Sequence, residues 1–263
     1  MVRLSAQRDM TGTPVPLHDA GDFEGLRRAG RLAAATLDFI AGHVRAGVST
    51  GELDRLCEAF MRDHGNVPAT IGYKGYRHAS CISVNHVVTH GIPSDQKRLM
   101  PGDIVNVDVT PILDGWHGDS SRTFAVGEIG VMARRLVDTT FEAMWAGIDA
   151  VRPGATLGDV GAAIEAVAKR ERFGVVRDFC GHGIGRVFHD APQVLHYGRP
   201  GTGVRLEPGM VFTIEPMLNA GRAEVKVLPD GWTTVTRDRS LSAQFEHMVG
   251  VTETGVEVFT LGA

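Results

Sequence analysis

The chain has 263 residues, 43% of them hydrophobic and 22% charged, a globular composition long enough to bury a substantial core. Its net charge of −4 offers no basic excess for nucleic acid, and no apolar run reaches the roughly 18 residues of a membrane span. The first residues lack the apolar core of a secretory signal, and three cysteines without CxxC spacing, Cys57, Cys81 and Cys180, argue against a disulfide framework, so a soluble cytoplasmic enzyme or binding domain is expected.

In chain order, residues 1–20 read as a loose tail. A first helix is expected over 22–46, capped by Asp22. A second opens at Ser49, where Glu52 three residues on gives capping-box spacing and Leu53, Leu56, Cys57 and Phe60 follow at helical intervals. Strands are expected over 80–90, 103–113 and 116–126. A third helix over 132–151 carries Leu136, Val137, Phe141, Met144, Trp145 and Ile148 as its apolar stripe. A fourth opens at Thr156, with Asp159 in the capping position. Further strands are expected over 210–218, 223–228, 232–236, 244–251 and 256–260.

Two stretches repeat. VRAGVSTGELDRLCEAF from Val44 aligns with VRPGATLGDVGAAIEAV from Val151, and PGDIVNVDV from Pro101 aligns with PGMVFTIEP from Pro208. The offset is the same in both cases, 151 − 44 and 208 − 101, or 107 residues. One α/β domain over 21–263 follows, with related halves at about 22–130 and 131–263 packed about an approximate two-fold axis. The same offset sets Asp108 over Glu215.

Alternation in IVNVDVT puts Val105, Val107 and Val109 on one strand face and Asn106, Asp108 and Thr110 on the other. By itself that is an exposed polar sheet face. Asp114-Gly115, however, signals a hairpin turn, and the midpoint between Asp108 and Asp119, 113.5, falls next to it. The two aspartates are therefore expected on neighbouring strands, where like charges repel. Glu215 and Glu246 each sit among apolar strand residues, in VFTIEPML and AQFEHMVGV. Buried carboxylates need compensating charge, and the nearest cations in sequence are Arg122 and Lys226. A pair of divalent metal ions is the economical answer, and oxygen-rich ligation favours Mn, Fe, Co or Zn. Two such ions activate water for hydrolysis.

The stretch GHGIGRVFHD (181–190) has the wrong glycine spacing for a phosphate loop, so His182 and His189 are the residues of interest in it. The lone histidines His18, His43, His64, His78, His86, His117, His196 and His247 read as ordinary loop residues.

Five stretches in order, VNHVVTHGIP (84–93), VNVDVTPILDGWHGDSSRTF (105–124), CGHGIGRVFHDAPQVLHY (180–197), GMVFTIEPMLNAG (209–221) and SAQFEHMVGVTE (242–253), closely resemble methionine aminopeptidase of type I. The resemblance covers all but about the first twenty residues. It implies the pita-bread fold, a curved antiparallel sheet with helices on its outer face and two pseudo-symmetric halves. It implies two divalent ions held by Asp108, Asp119, His182, Glu215 and Glu246, with Asp119 and Glu246 bridging, and Glu215 as general base and then acid. His90 and His189 are placed against the substrate, and Tyr73, Cys81, Phe188 and Trp232 as the lining of a methionine pocket. The implied activity is removal of the N-terminal methionine from nascent chains whose second residue is small. The implied setting is a cytoplasmic monomer docking at the ribosome through its domain surface. The chain departs from the common family pattern at Thr89, at Thr70 and in KGYRHAS (74–80), which touches pocket shape and no metal ligand. Three rivals are an aminopeptidase P or prolidase, which usually carries an additional N-terminal domain, a pita-bread protein that only binds partners, and a nucleotide-binding domain.

Overall fold

The computed structural model describes residues 3–262. Four α-helices, α1 (Ala20–Ala41), α2 (Thr50–Asp63), α3 (Val131–Asp149) and α4 (Leu157–Glu171), pack against short β-strands, all of them paired antiparallel.

Each half pairs two helices with one strand ladder. In the first, Ala33, Leu37 and Ile40 of α1 and Leu53, Cys57 and Met61 of α2 form one buried cluster with Ile82, Val84, Val105, Val107 and Val109. In the second, Leu136, Met144 and Ile148 of α3 and Val160 and Ile164 of α4 pack with Phe212, Ile214, Leu218 and Val249. The alternation that hides Val105, Val107 and Val109 under the helices turns Asp108 to the opposite face.

The repeat recurs as geometry. Ser49 caps α2 and Thr156 caps α4, each accepting from the backbone N–H three residues on. Gly47 and Gly154 both take a left-handed φ, 87° and 83°, which glycine adopts freely. Their carbonyls accept from the Arg98 and Arg205 guanidinium groups, both at 2.8 Å. Gly47 donates to Leu99 O as Gly154 donates to Leu206 O.

Three expectations need correction. The stretch expected as a loose tail forms a hairpin, Arg3–Arg8 against Pro14–Leu17, and Val15 is fully buried in the second half's core. A short strand beginning at proline carries little helical or strand periodicity to read. Helix α1 is capped by Asp19 rather than Asp22; Asp22 is the N3 member of the capping box, its backbone N–H donating to Asp19 Oδ1 at 2.9 Å and its side chain accepting from the Asp19 N–H. The strand expected over 80–90 breaks at Asn85, which adopts φ 56°, a conformation asparagine tolerates better than most residues.

Candidate metal centre

The first hairpin keeps one register from Ile104↔Ala125 through Asp108↔Ser121 to Leu113↔Trp116. Its turn therefore centres between Asp114 and Gly115, one residue later than the midpoint of the two aspartates. Asp108 faces Ser121, and Asp119 stands diagonally from it on the same face. Thr110 Oγ1 donates to Asp119 Oδ1 at 2.8 Å.

The second hairpin also keeps a single register across a gap. Ile214 pairs with His247 and Met217 with Gln244, so Glu215 and Glu246 stand opposite each other between the two ladders. An isolated bridge, Ser121↔Glu246, joins the hairpins, and Asn106 Nδ2 donates across to Gln244 O at 2.9 Å. All four carboxylates thus meet at the seam between the halves.

His182 comes from the strand Gly181–Gly183, paired with Asp190–Val194 and Val211–Ile214. Its Nδ1 lies 3.0 Å from Gly183 O, so Nδ1 carries the proton and Nε2 keeps a free lone pair. Nε2 is 3.6 Å from Asp119 Oδ2 and 3.7 Å from Glu215 Oε1. Ligand atoms of Asp119, His182 and Glu246 all lie within 4.8 Å of one another. Glu215 is fixed by Thr213 Oγ1 at 2.9 Å and Gln244 Nε2 at 3.3 Å.

The electrostatics are unfavourable for a site made of protein alone. Burial, and then the neighbouring Asp119 charge, raises Asp108 well above the ordinary carboxylate range. Burial lifts Asp119 to about 7, against the hydrogen bonds from Thr110 and Ser120. Glu215 and Glu246 are raised by burial first and Asp119 second. Among the described residues no lysine or arginine pairs with any of the four: Arg122 pairs with Asp38 and Lys226 is exposed. Acids crowded together with one neutral imidazole are a donor set for a divalent cation, whose charge removes their repulsion. The residues fit the metal that the sequence called for.

The centre lies in a cavity of about 290 Å³. All eleven residues singled out from the sequence line it: the five ligand candidates, together with His90, His189, Tyr73, Cys81, Phe188 and Trp232. The His189 ring lies 4.2 Å from that of His182, and stacks on Tyr73 at 5.1 Å and 23°. His90 holds a left-handed φ of 56°, a costly conformation for a non-glycine residue, with its ring edge-on to Phe179 at 5.4 Å. Burial lowers His90 and His182 to about 4 and His189 to about 3. All three are neutral at pH 7, each with one N–H to give and one lone pair to accept.

Sequence reasoning missed part of the wall, namely Asp178, Phe179, Cys180 and Met217, while Lys74 and Tyr76 belong to the KGYRHAS stretch expected to bear on pocket shape. It also passed over His196. That residue is fully buried, accepts the Glu215 backbone N–H on Nε2 at 3.2 Å, and has no partner for Nδ1 among the described residues. The apolar flanks of VLHY were the available signal.

Residues 24–253 match the model of metallopeptidase family M24. The chain is 54% identical to the methionine aminopeptidase of Rickettsia prowazekii over 94% of its own length and 95% of the relative's. It is 53% identical to that of Escherichia coli K12, covering 91% of each. Its structure superposes on the Rickettsia enzyme's crystal structure with a TM-score of 0.93, covering 94% of this chain and 100% of that one. For the Thermotoga maritima methionine aminopeptidase the TM-score is 0.92 at 39% identity, covering 94% and 99%. A prolidase from Pyrococcus horikoshii, 19% identical, shares the fold at 0.73 but is covered over only 64% of its length. The fold is the pita-bread fold, and the chain belongs to metallopeptidase family M24 and, within it, to the methionine aminopeptidases.

Proposed function

We propose that this enzyme removes the N-terminal methionine from polypeptides whose second residue is small, with two divalent ions held by Asp108, Asp119, His182, Glu215 and Glu246. The observation that carries the reading is the meeting of four mutually repelling buried carboxylates and the His182 Nε2 lone pair inside one largely apolar cavity. Bound there, divalent ions supply Lewis acidity and make water a nucleophile at neutral pH. Mn, Fe, Co and Zn all suit these ligands.

The chain's own groups then divide the work. Glu215, steadied by Thr213 and Gln244, accepts the proton of the attacking water and returns it to the leaving amine. Neutral His189 and His90 each direct one N–H, toward the carbonyl oxygen and the peptide group, where charge develops. Tyr73, Cys81, Phe188 and Trp232 enclose the unbranched methionine side chain, and the flexible thioether fills an irregular apolar wall well.

The test is release of amino acid from Met-Gly-Met-Met and from Ala-Pro-Gly by chelator-stripped protein, before and after Mn or Co, beside Asp108→Asn. Metal-dependent release of Met alone, lost in the variant, is expected. Release of Ala moves the enzyme to the aminopeptidase P side, and no release with any metal removes the peptidase reading. We further propose a monomer acting in the cytoplasm on nascent N-termini at the ribosome. Among the described residues no helix is long and apolar enough to cross a membrane. Sedimentation of the protein alone and with ribosomes tests both parts, and a dimer or a protein that never co-sediments counts against them.

A further inference from the structure

Beside the metal centre, the wall of the cavity carries a charge that the hydrolysis does not use. Lys74 is the one lysine or arginine among the lining residues, and it is exposed, so it stands at the mouth rather than the floor. Its backbone is held in the left-handed region, φ 46° and ψ 30°, inside the tight turn Tyr73–Gly75. Gly72 and Gly75 on either side also have positive φ, 87° and 86°. A non-glycine residue kept there costs free energy that a free loop would shed. The ammonium group lies 5.2 Å from the centroid of the Tyr73 ring, whose stacking on His189 ties it to the reacting end of the cavity. Its charge reaches both His90 and His189, each of which it pushes further toward the neutral form.

Among the described residues no carboxylate lies within ion-pair distance of the Lys74 ammonium group. Asp178 also lines the mouth but makes no ion pair with it. Every other carboxylate in the cavity belongs to the metal centre, and its histidines are neutral. A cation without an ion-pair partner at the exit of a peptide site is a complement for negative charge on the part of the substrate that has left the pocket.

Resting on the peptidase reading above, we propose that Lys74 is a specificity-determining residue that favours substrates bearing a carboxylate beyond their second residue. That carboxylate is either an acidic side chain or, in a short peptide, the chain terminus. Lys74 makes an exposed ion pair with it. Such a pair changes affinity by about 1.5- to 5-fold and acts on KM, because the charge does not change along the reaction.

The experiment uses the metal-loaded enzyme and three peptides, Met-Gly-Glu-Met-amide, Met-Gly-Gln-Met-amide and Met-Gly-Gln-Met with a free terminus. The readout is the ratio of kcat/KM between peptides within each variant, which does not depend on the fraction of protein folded. For the wild type the Glu/Gln ratio, the free/amide ratio or both are expected at about 2 to 5, through KM, shrinking toward one as salt is raised. Lys74→Arg keeps the preference, Lys74→Met brings it to one and Lys74→Glu inverts it. Whichever ratio responds identifies the source of the carboxylate. Ratios of one in the wild type, or a preference unchanged in Lys74→Met and Lys74→Glu, overturn the proposal while Met release continues. Release of Met from none of the peptides overturns the peptidase reading and this inference together.

Discussion

Asp119→Asn in the metal-free enzyme separates stability from function. Asp119 is 4% exposed and its carboxyl is lifted from 3.8 to about 7 by burial. The folded state therefore holds its proton over a pH range where the unfolded chain has released it. The stability from that retained proton is complete below about pH 4 and is lost as pH rises through about 7. Three pH units at about 1.4 kcal/mol each set the loss at about 4 kcal/mol by pH 8. Asp108, Glu215 and Glu246 shift in the same direction and titrate with it as a set. Asparagine cannot ionise, and its side-chain oxygen still accepts from Thr110. Chelator-treated Asp119→Asn should therefore resist urea better than chelator-treated wild type at pH 8, by up to about 4 kcal/mol, with the gap closing toward pH 5. It should also lose metal-dependent Met release. The assay is urea unfolding of both proteins in chelator at several pH values. A variant less stable than wild type at pH 8, or a gap that does not change with pH, would show that the four acids are not held together against their own repulsion.

Three further outcomes follow from the packing. A Cβ on Gly183 would meet Ala191 O at 1.8 Å, so Gly183→Ala should cost about 3 kcal/mol or more and weaken metal binding at adjacent His182; denaturant unfolding within about 1 kcal/mol of wild type would refute the fit. Deleting residues 1–17 removes Val15 and Leu17 from the core, at about 1.5–3 kcal/mol for each side chain, so an unchanged melting temperature would mean that the hairpin is dispensable. Burial and the Glu215 charge push Cys180 up to about 11, and burial raises Cys57 and Cys81 as well. Iodoacetamide at pH 7.5 should label the native protein far more slowly than the unfolded one, and rapid native labelling would contradict the burial.

The candidate metal centre was legible because its signals are local and redundant. Asp108, Glu215 and Glu246 each interrupt an apolar strand, Asp114-Gly115 marks the turn, and a repeat of constant offset aligns the halves. What escaped the sequence depends on distance in the chain. The one-residue shift of the hairpin did not escape it: the register centres on the Asp114-Gly115 turn itself, both residues at positive φ, 51° and 80°, rather than on the midpoint of the two aspartates. The choice of Asp19 over Asp22 as cap turns on a three-residue reciprocal pair in which both residues are aspartate. The N-terminal hairpin is short and proline-rich, and is anchored by His18 N–H to Gly209 O. His196 differs from the other histidines only in what folds around it.

The two hairpins share their geometry, while their chemistry differs where the mechanism requires it. Ser121 stands opposite Asp108 as Glu246 stands opposite Glu215, and two residues further along come Asp119 in the first hairpin and Gln244 in the second. A faithful copy of the first hairpin would put a carboxylate at 244 and a serine at 246, moving the acid two residues along the strand, away from its place opposite Glu215. Gln244 is neutral there and donates to Glu215 Oε2 at 3.3 Å, while in the first hairpin Asp119 accepts from Thr110 at 2.8 Å. One hairpin thus carries a carboxylate at this position, and the other an amide that orients Glu215. The double role proposed for Glu215, touching a metal and moving a proton, needs one oxygen oriented by a donor that does not itself titrate. Departure from two-fold symmetry at both 244 and 246 gives Glu215 a carboxylate opposite it and an amide donor beside it.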